Sequence, residues 1–138
     1  MIIVDTNVLS EMIRPEPAMP VVRWLRFTPA NHLYTTAISE AEMRFGVEKF
    51  GVGRRRLALE SAVERIFAVR FAGRILPFDS DAAKAFTPFA IAMRREGLSY
   101  SRLDAQIIAV AKAHNAAIAT RDAGFAHSGV PLIDPWNS

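Results

Sequence analysis

The chain begins with Ile2-Ile3-Val4-Asp5, a short run of β-branched residues that ends on a carboxylate. Such a run predicts a buried strand, and the segments of helical period after it predict βαβ units around a parallel sheet. Asp5 would then lie at the carboxyl end of a central strand, where open α/β sheets bind their ligands. The alternative is that Asp5 caps the short helix that follows the strand.

The rest of the chain repeats this alternation of strand and helix. The predicted strands are Ile2–Val4, His32–Thr35, Arg74–Pro77, Ala116–Ala119 and Val130–Ile133. The predicted helices are Val8–Ile13, Val21–Phe27, Ile38–Phe50, Arg54–Arg70, Ser80–Glu96 and Leu103–His114. This order predicts an α/β fold in three layers, with a central parallel sheet of four to five strands flanked by helices. A chain of 138 residues fits a single domain, residues 1–138.

Composition limits the classes of protein and of site. The chain has no cysteine, so it has neither disulfides nor thiolate metal sites, and a metal would need oxygen ligands or one of three histidines. No apolar run approaches the roughly 18 residues of a membrane span, and a strand starting at Ile2 leaves no room for a signal peptide. We therefore expect a cytoplasmic protein. The net charge of +3 fits a polyanionic partner, although many enzymes are as basic.

One predicted helix carries a carboxylate within an apolar stripe. Glu42 is expected to share a helix face with Ile38, Phe45 and Gly46. A carboxylate on the core face needs a partner or a metal ion, because desolvating a bare charge costs several kcal/mol or more. The alternative for Glu42 is a buried ion pair with an arginine.

Two further acids fit the same site. Asp104 heads an apolar stripe on its own helix, although it could instead cap that helix or stabilise its dipole. The other members of this stripe are Ile107, Ile108 and Ala111. Asp122 follows a predicted strand and would reach the same sheet edge as Asp5, unless it only makes an Asx turn. The convergence of four acids at one edge predicts a shared site.

The segments that contain these acids resemble PIN-domain ribonucleases, and in particular the VapC and FitB toxins of bacterial toxin–antitoxin pairs. The matching stretches are Ile3–Ser10, Ile38–Gly46, Leu76–Asp79, Leu103–Ala109 and Ile118–Asp122, with a final match at Leu132–Trp136. The family pattern implies the same four acids as its site residues. The sequence departs from close relatives at Gly124, where they often carry an aspartate immediately before the phenylalanine of the last motif.

The resemblance implies a metal-dependent endoribonuclease that is the toxin of a toxin–antitoxin pair, with RNA as substrate, a small antitoxin as partner and a homodimeric assembly. Mg²⁺, or Mn²⁺, suits a set of carboxylate ligands. We expect Asp5 and Asp104 to hold the principal ion, Glu42 to bind it directly or through water, and Asp122 to complete the shell or help hold a second ion. Thr6 is a candidate for positioning water or substrate.

Other readings of the sequence remain open. One is a phosphatase with a nucleophilic aspartate, although Asn7 stands where such enzymes carry their second aspartate. The other is a non-catalytic PIN-like module that binds RNA or protein, although binding alone gives no reason to crowd carboxylates. The runs Arg54–Arg56 and Arg94–Arg95 either contact RNA phosphates or are solvated helix faces. Apolar residues of Pro20–Phe27, including Trp24, and of Ile38–Phe50 are either core or dimer interface.

Overall fold

A computed structural model describes residues 1–138 and contains one sheet of five parallel strands. The strands are β1 (Ile2–Val4), β2 (Leu33–Thr36), β3 (Ile75–Leu76), β4 (Ala117–Ala119) and β5 (Leu132–Ile133). Their order across the sheet is β3-β2-β1-β4-β5, which puts β1 at the centre. Ile3 of β1 pairs with Tyr34 on one side and with Ile118 on the other. The predicted α/β fold with a parallel sheet is confirmed, at the upper end of the predicted strand number.

Six α-helices connect and cover the strands. They are α1 (Thr6–Glu11), α2 (Met19–Phe27), α3 (Ala37–Glu48), α4 (Arg54–Arg65), α5 (Ser80–Arg95) and α6 (Arg102–Ala113). Short 3₁₀ turns lie at Ala30–His32, Ala123–Phe125 and Pro135–Asn137. None of the helices is long and apolar enough to cross a membrane.

The core has two halves, one on each face of the sheet. Successive residues of a strand point to opposite faces, so Ile3 and Val4 enter different halves. Ile3 packs in a cluster with residues of α5 and α6, including Phe89 and Ile107. Val4 packs in a second cluster with residues of α1, α2 and α4, including Val8. Helices therefore cover both faces, which gives the three layers expected of this sheet.

The fourth predicted helix is wrong at its C-terminal end. The sequence predicts one helix over Arg54–Arg70, whereas α4 ends at Arg65 and a π-helical turn covers Ile66–Arg70. In this turn the N–H of Phe71 donates to the carbonyl of Ile66, one residue further back than in an α-helix. Ile66 and Phe67 at the start of this turn and Phe71 just after it are all buried.

Candidate active site at the carboxyl edge of the sheet

Asp5 and Thr120 meet where β1 and β4 end side by side. The two strands are parallel neighbours, and the N–H of Asp5 continues their pairing by donating to the carbonyl of Ala119 at 3.0 Å. The Thr120 hydroxyl donates to Asp5 Oδ2 at 2.8 Å. Both side chains are buried, with Asp5 only 6% exposed. The sheet therefore presents a carboxylate that is almost removed from water at the edge where ligands are expected.

The burial of Asp5 changes its protonation. Burial, with a smaller contribution from the negative charges of Asp104 and Glu42, raises the pKa of the Asp5 carboxyl to about 6. Hydrogen bonds from Thr120 and from the Thr6 backbone act in the opposite direction. Asp5 stands at the N-cap position of α1, yet its carboxylate makes no capping hydrogen bond to the later N–H groups of that helix. The capping alternative is therefore not what orients this side chain.

Thr120 has all of its hydrogen-bonding capacity in use. Besides donating to Asp5, its hydroxyl oxygen accepts from the Asn7 amide nitrogen and from the Asp122 N–H, each at 3.0 Å. A hydroxyl offers one proton and two lone pairs, so the orientation of the Thr120 proton toward Asp5 is fixed. The oxygen of the Asn7 amide is buried without a partner. Asn7, at the position where a phosphatase would carry its second aspartate, thus supports Thr120.

Glu42 reaches the same edge from α3. Its Oε1 accepts a hydrogen bond from the Thr6 hydroxyl at 3.1 Å, and that hydroxyl lies 3.0 Å from the hydroxyl of the buried Ser39. Burial raises the pKa of Glu42; the Thr6 hydrogen bond opposes this, and the charge of Asp104 adds to it. Glu42 takes part in none of the five ion pairs of the chain. The alternative of a buried arginine pair is therefore wrong.

The predicted helix face of Glu42 needs correction. The sequence predicts Phe45 on the core face, but it is 66% exposed. The residues of α3 that enter the core are Ile38, Ser39, Met43 and Val47. Glu42 is half-buried beside this face, since α3 packs against α1 and α4 through the neighbouring Met43 and Val47. The carboxylate is therefore reachable from solvent while still being partly desolvated.

Asp104 lies in the first turn of α6. Ser101, and not Asp104, is the N-cap residue, because the Ser101 hydroxyl accepts from the Asp104 N–H at 3.1 Å. Burial raises the pKa of Asp104, a hydrogen bond with Ser101 opposes the change, and the charge of Asp122 adds to it. The rest of the predicted stripe is fully buried, at Ile107, Ile108 and Ala111. The core thus holds α6 in place, while the half-buried carboxylate of Asp104 remains at the edge.

Asp122 makes a structural turn at the margin of the site. Its Oδ1 accepts from the Gly124 N–H at 2.8 Å, which is the Asx turn given above as the alternative to a site role, and the residue is exposed. A Cβ at position 124 would lie 3.0 Å from that same oxygen. The glycine that departs from the family pattern therefore leaves room for this turn. Asp122 still influences the site, because its charge raises the pKa of Asp104.

Two polar residues of this edge were missed at the sequence level. Ser39 lies three residues before Glu42, and this helical spacing could have indicated that both share a face. Asn7 contacts Thr120, which is 113 residues away in sequence, and no local signal predicts such a contact.

The structure brings three predicted acids into mutual electrostatic contact. Asp104 and Glu42 each raise the pKa of Asp5, and Asp104 also raises that of Glu42. Asp122 interacts electrostatically with only one of these acids, Asp104, whose pKa it raises. As the side chains stand, no three acidic or histidine side chains are close enough to share a metal ion. The four acids therefore form one negatively charged region, with Asp122 at its margin, but not a closed ligand shell.

Comparisons with known proteins agree with the fold and the motifs. Residues 2–130 match the family described as PIN domain. The VapC ribonuclease Y4jK of Sinorhizobium fredii is 36% identical over 137 residues, which cover 99% of this chain and 98% of that protein. Toxin FitB of Neisseria gonorrhoeae is 38% identical over 138 residues, 99% of each protein. The crystal structure of FitAcB from Neisseria gonorrhoeae superposes with a TM-score of 0.90 at 37% identity and covers 100% of both chains.

Proposed function

The chain belongs to the PIN-domain family, and we propose that it is a metal-dependent endoribonuclease, the toxin of a toxin–antitoxin pair. The observation that carries the proposal is the group of carboxylates with raised pKa values at the carboxyl edge of the sheet. Desolvated acids that raise one another's pKa are costly to a fold and mark functional sites. Similarity over almost the full length to a protein named as a VapC ribonuclease supports RNA as the substrate.

The acids fit a hard divalent cation by their chemistry. Every candidate ligand is a carboxylate oxygen, which Mg²⁺ and Mn²⁺ prefer. Asp5 and Asp104 would hold the principal ion, Glu42 would complete its shell directly or through water, and Asp122 would join that shell or help hold a second ion. Because the shell is not closed as the side chains stand, the half-buried Glu42 and Asp104 would have to turn toward Asp5. We propose Mg²⁺ as the physiological ion, with Mn²⁺ able to replace it.

The side chains have distinct tasks in hydrolysis. When bound, a divalent cation supplies the positive charge that a phosphodiester needs beside carboxylates and makes water a better nucleophile. Thr6 holds Oε1 of Glu42, so Oε2 is the oxygen that takes the proton of the attacking water. A raised pKa makes this carboxylate a better base near neutral pH. Thr120 fixes the orientation of the Asp5 carboxylate through Oδ2.

The proposed partners follow from the same family membership. We expect a small antitoxin to bind this chain and block the acidic edge, since the relative FitB is named a toxin. We also expect a homodimer. The RNA substrate implies that the protein acts in the cytoplasm.

The test is single-turnover cleavage of mixed cellular RNA with Mg²⁺ or Mn²⁺, comparing the wild type with Asp104→Asn. The proposal expects cleavage by the wild type only, and none after addition of a chelator. Equal cleavage by both proteins, or cleavage that persists in chelator, would contradict the proposed chemistry. An Asp81→Asn variant is the matched control, because Asp81 is an exposed first-turn aspartate of α5 that takes no part in the site.

A further inference from the structure

A cavity of about 310 Å³ leads away from the acids along α3. Thr6 and Glu42 line it where it meets the site, and Phe50 and Arg55 line it beyond the C-terminal end of α3. From Glu42 to the end of α3 at Glu48 the helix rises roughly 9 Å, and Phe50 follows two residues later. An RNA strand that is bound at the acids and continues along the protein surface beside α3 would therefore enter this cavity.

The far end of the cavity carries an unpaired cation on an aromatic ring. The guanidinium carbon of Arg55 lies 5.0 Å from the centre of the Phe50 ring, which is half exposed. Arg55 makes no ion pair, whereas its neighbour Arg56 pairs with Glu48 and Glu60. All the donors of Arg55 are therefore free for an anion.

Arg14 adds a second positive charge to the same cavity. It is 61% exposed and uses one nitrogen for Glu11 at 3.3 Å, so its remaining donors face solvent. The floor between the two arginines is apolar, with Met43 and Val47 among its residues. Cationic rims over an apolar floor with an exposed aromatic ring match the needs of a nucleotide, which has an anionic phosphate and a flat base.

We propose that this cavity is a subsite for one nucleotide of single-stranded RNA next to the cleaved position. On binding, Arg55 moves off the Phe50 ring onto the phosphate, Arg14 adds to the positive potential, and the ring face that Arg55 leaves stacks on the base. The inference rests on the proposed ribonuclease function and adds a strand direction to it, from the acids along α3 toward the start of α4. Single strands are favoured because a base must leave its helical stack to lie on a protein ring.

The test measures RNA binding without cleavage. A short, fluorescein-labelled single-stranded RNA of mixed sequence is titrated in chelator with the full chain, which carries Asp104→Asn throughout. In this background the variants are Arg55→Gln, Arg55→Lys and Phe50→Leu. Arg54→Gln is the matched control, because it removes the same charge from an adjacent exposed residue that does not line the cavity.

The subsite predicts a distinct result for each variant. Arg55→Gln lowers the slope of log affinity against log salt by about 0.7, as expected for one lost phosphate contact on a single strand, and Arg55→Lys keeps that slope. Phe50→Leu weakens binding at least about fivefold, since stacking on one base contributes about 1–3 kcal/mol. Arg54→Gln changes the salt slope less than Arg55→Gln does, and it weakens RNA binding less than Phe50→Leu does.

Other results would overturn the subsite. Equal effects of Arg54→Gln and Arg55→Gln would show that only overall charge matters. Unchanged RNA binding by Arg55→Gln and Phe50→Leu, with weakened binding of the antitoxin, would assign the cavity to a protein segment. In both cases, cleavage by the wild type would leave the ribonuclease proposal intact. A wild type that neither binds nor cleaves RNA would remove both proposals.

Discussion

At the scale of single residues, the hydroxyl of Thr120 controls the position of Asp5. It donates one hydrogen bond to the Asp5 carboxylate and accepts two others, so neither partner can turn freely. Groups that orient a metal-binding carboxylate contribute to affinity even though they never touch the ion. Thr120 is thus a positioning residue of the proposed site.

Thr120→Val should lower both Mn²⁺ affinity and the rate of RNA cleavage by about 10- to 100-fold. The reason is that the Asp5 carboxylate loses the only hydrogen bond that it receives from another side chain. Thr120→Ser keeps the hydroxyl and should remain near wild type. Isothermal titration with Mn²⁺ measures the first effect without relying on activity. Thr35→Val is the control, since the Thr35 hydroxyl is equally buried and donates to the Val4 carbonyl at 2.9 Å. Equal Mn²⁺ affinities of both valine variants would limit Thr120 to a role in stability.

Asp5 should make the metal-free protein less stable as pH rises. Its folded pKa is about 6, against about 4 for an ordinary aspartic acid, so the folded state holds more protons than the unfolded state between these values. The free energy of unfolding therefore falls as pH increases from about 4 to about 6, by up to about 3 kcal/mol from this group. Above that pH range, the free energy of unfolding shows no further decrease from Asp5.

Asp5→Asn should abolish cleavage, yet in chelator it should be at least as stable as wild type near neutral pH. The difference should vanish at roughly pH 2–3, well below the unfolded pKa of about 4, where Asp5 is protonated in both states. Urea unfolding of both proteins, from acidic to neutral pH and with chelator present, measures this difference in the free energy of unfolding. A melting temperature several degrees below wild type at neutral pH would instead mark the Asp5 charge as structural.

At the scale of helices and strands, the N-terminal caps place the acids. The Thr36 hydroxyl accepts from the Ser39 N–H at the start of α3, and Ser101 accepts from the Asp104 N–H at the start of α6. A capped first turn has fixed backbone angles, so the side chains of that turn leave in fixed directions. Asp104 lies within the capped turn, so the cap fixes the direction in which its side chain leaves the helix.

Ser101→Ala should lower the free energy of unfolding by about 1 kcal/mol, because the Asp104 N–H loses its partner. Ser101→Asn should restore most of it, since asparagine caps as well as serine does and adds no charge beside Asp104. Urea unfolding of the metal-free protein measures both variants. Ser99→Ala is the control, because Ser99 is exposed and lies outside α6. A loss as large in Ser99→Ala as in Ser101→Ala would argue against the cap.

The local sequence predicts the elements and not their fine geometry. Hydrophobic period and the proline and glycine breaks suffice for five strands and six helices, because these signals act within a few residues. The π-helical turn after α4 escapes such reasoning, since Phe67 and Phe71 are spaced as on a regular α-helix and give no local sign of a wider turn. Phe45 shows the same limit. Phe45 lies on one side of Ile38 and Glu42 around the helix, whereas the packed face extends to the other side, toward Met43 and Val47.

The candidate site is predictable in its residue types but not in its supports. Carboxylates at strand ends and on helix faces converge because a parallel sheet brings its carboxyl ends to one edge. The contacts that fix them join Asn7 to Thr120 and Thr6 to Glu42, across 113 and 36 residues. Such pairs become visible only when the sheet order is known.

At the scale of the whole molecule, one apolar patch lies beside the acids. Phe45, Phe78 and Leu103 are exposed by 38–66% and line a cavity of about 390 Å³, which Glu42 also borders. We call these three residues the α3 patch. Trp24, the other aromatic candidate for an interface, packs partly buried against the core instead. A contiguous exposed patch of this kind favours association with another protein surface.

The α3 patch should form the homodimer interface, which would bring two acidic edges close to one another. Phe45→Glu places a charge in the patch and should yield a folded monomer, because burying an unpaired carboxylate in an interface costs several kcal/mol. Phe27→Glu is the matched control, since Phe27 is 78% exposed on α2 and lies outside the patch. Analytical ultracentrifugation of the isolated chain, with circular dichroism to check folding, measures the outcome. A dimer that survives Phe45→Glu but dissociates with Phe27→Glu would move the interface to α2, and the two acidic edges would then have no reason to face each other.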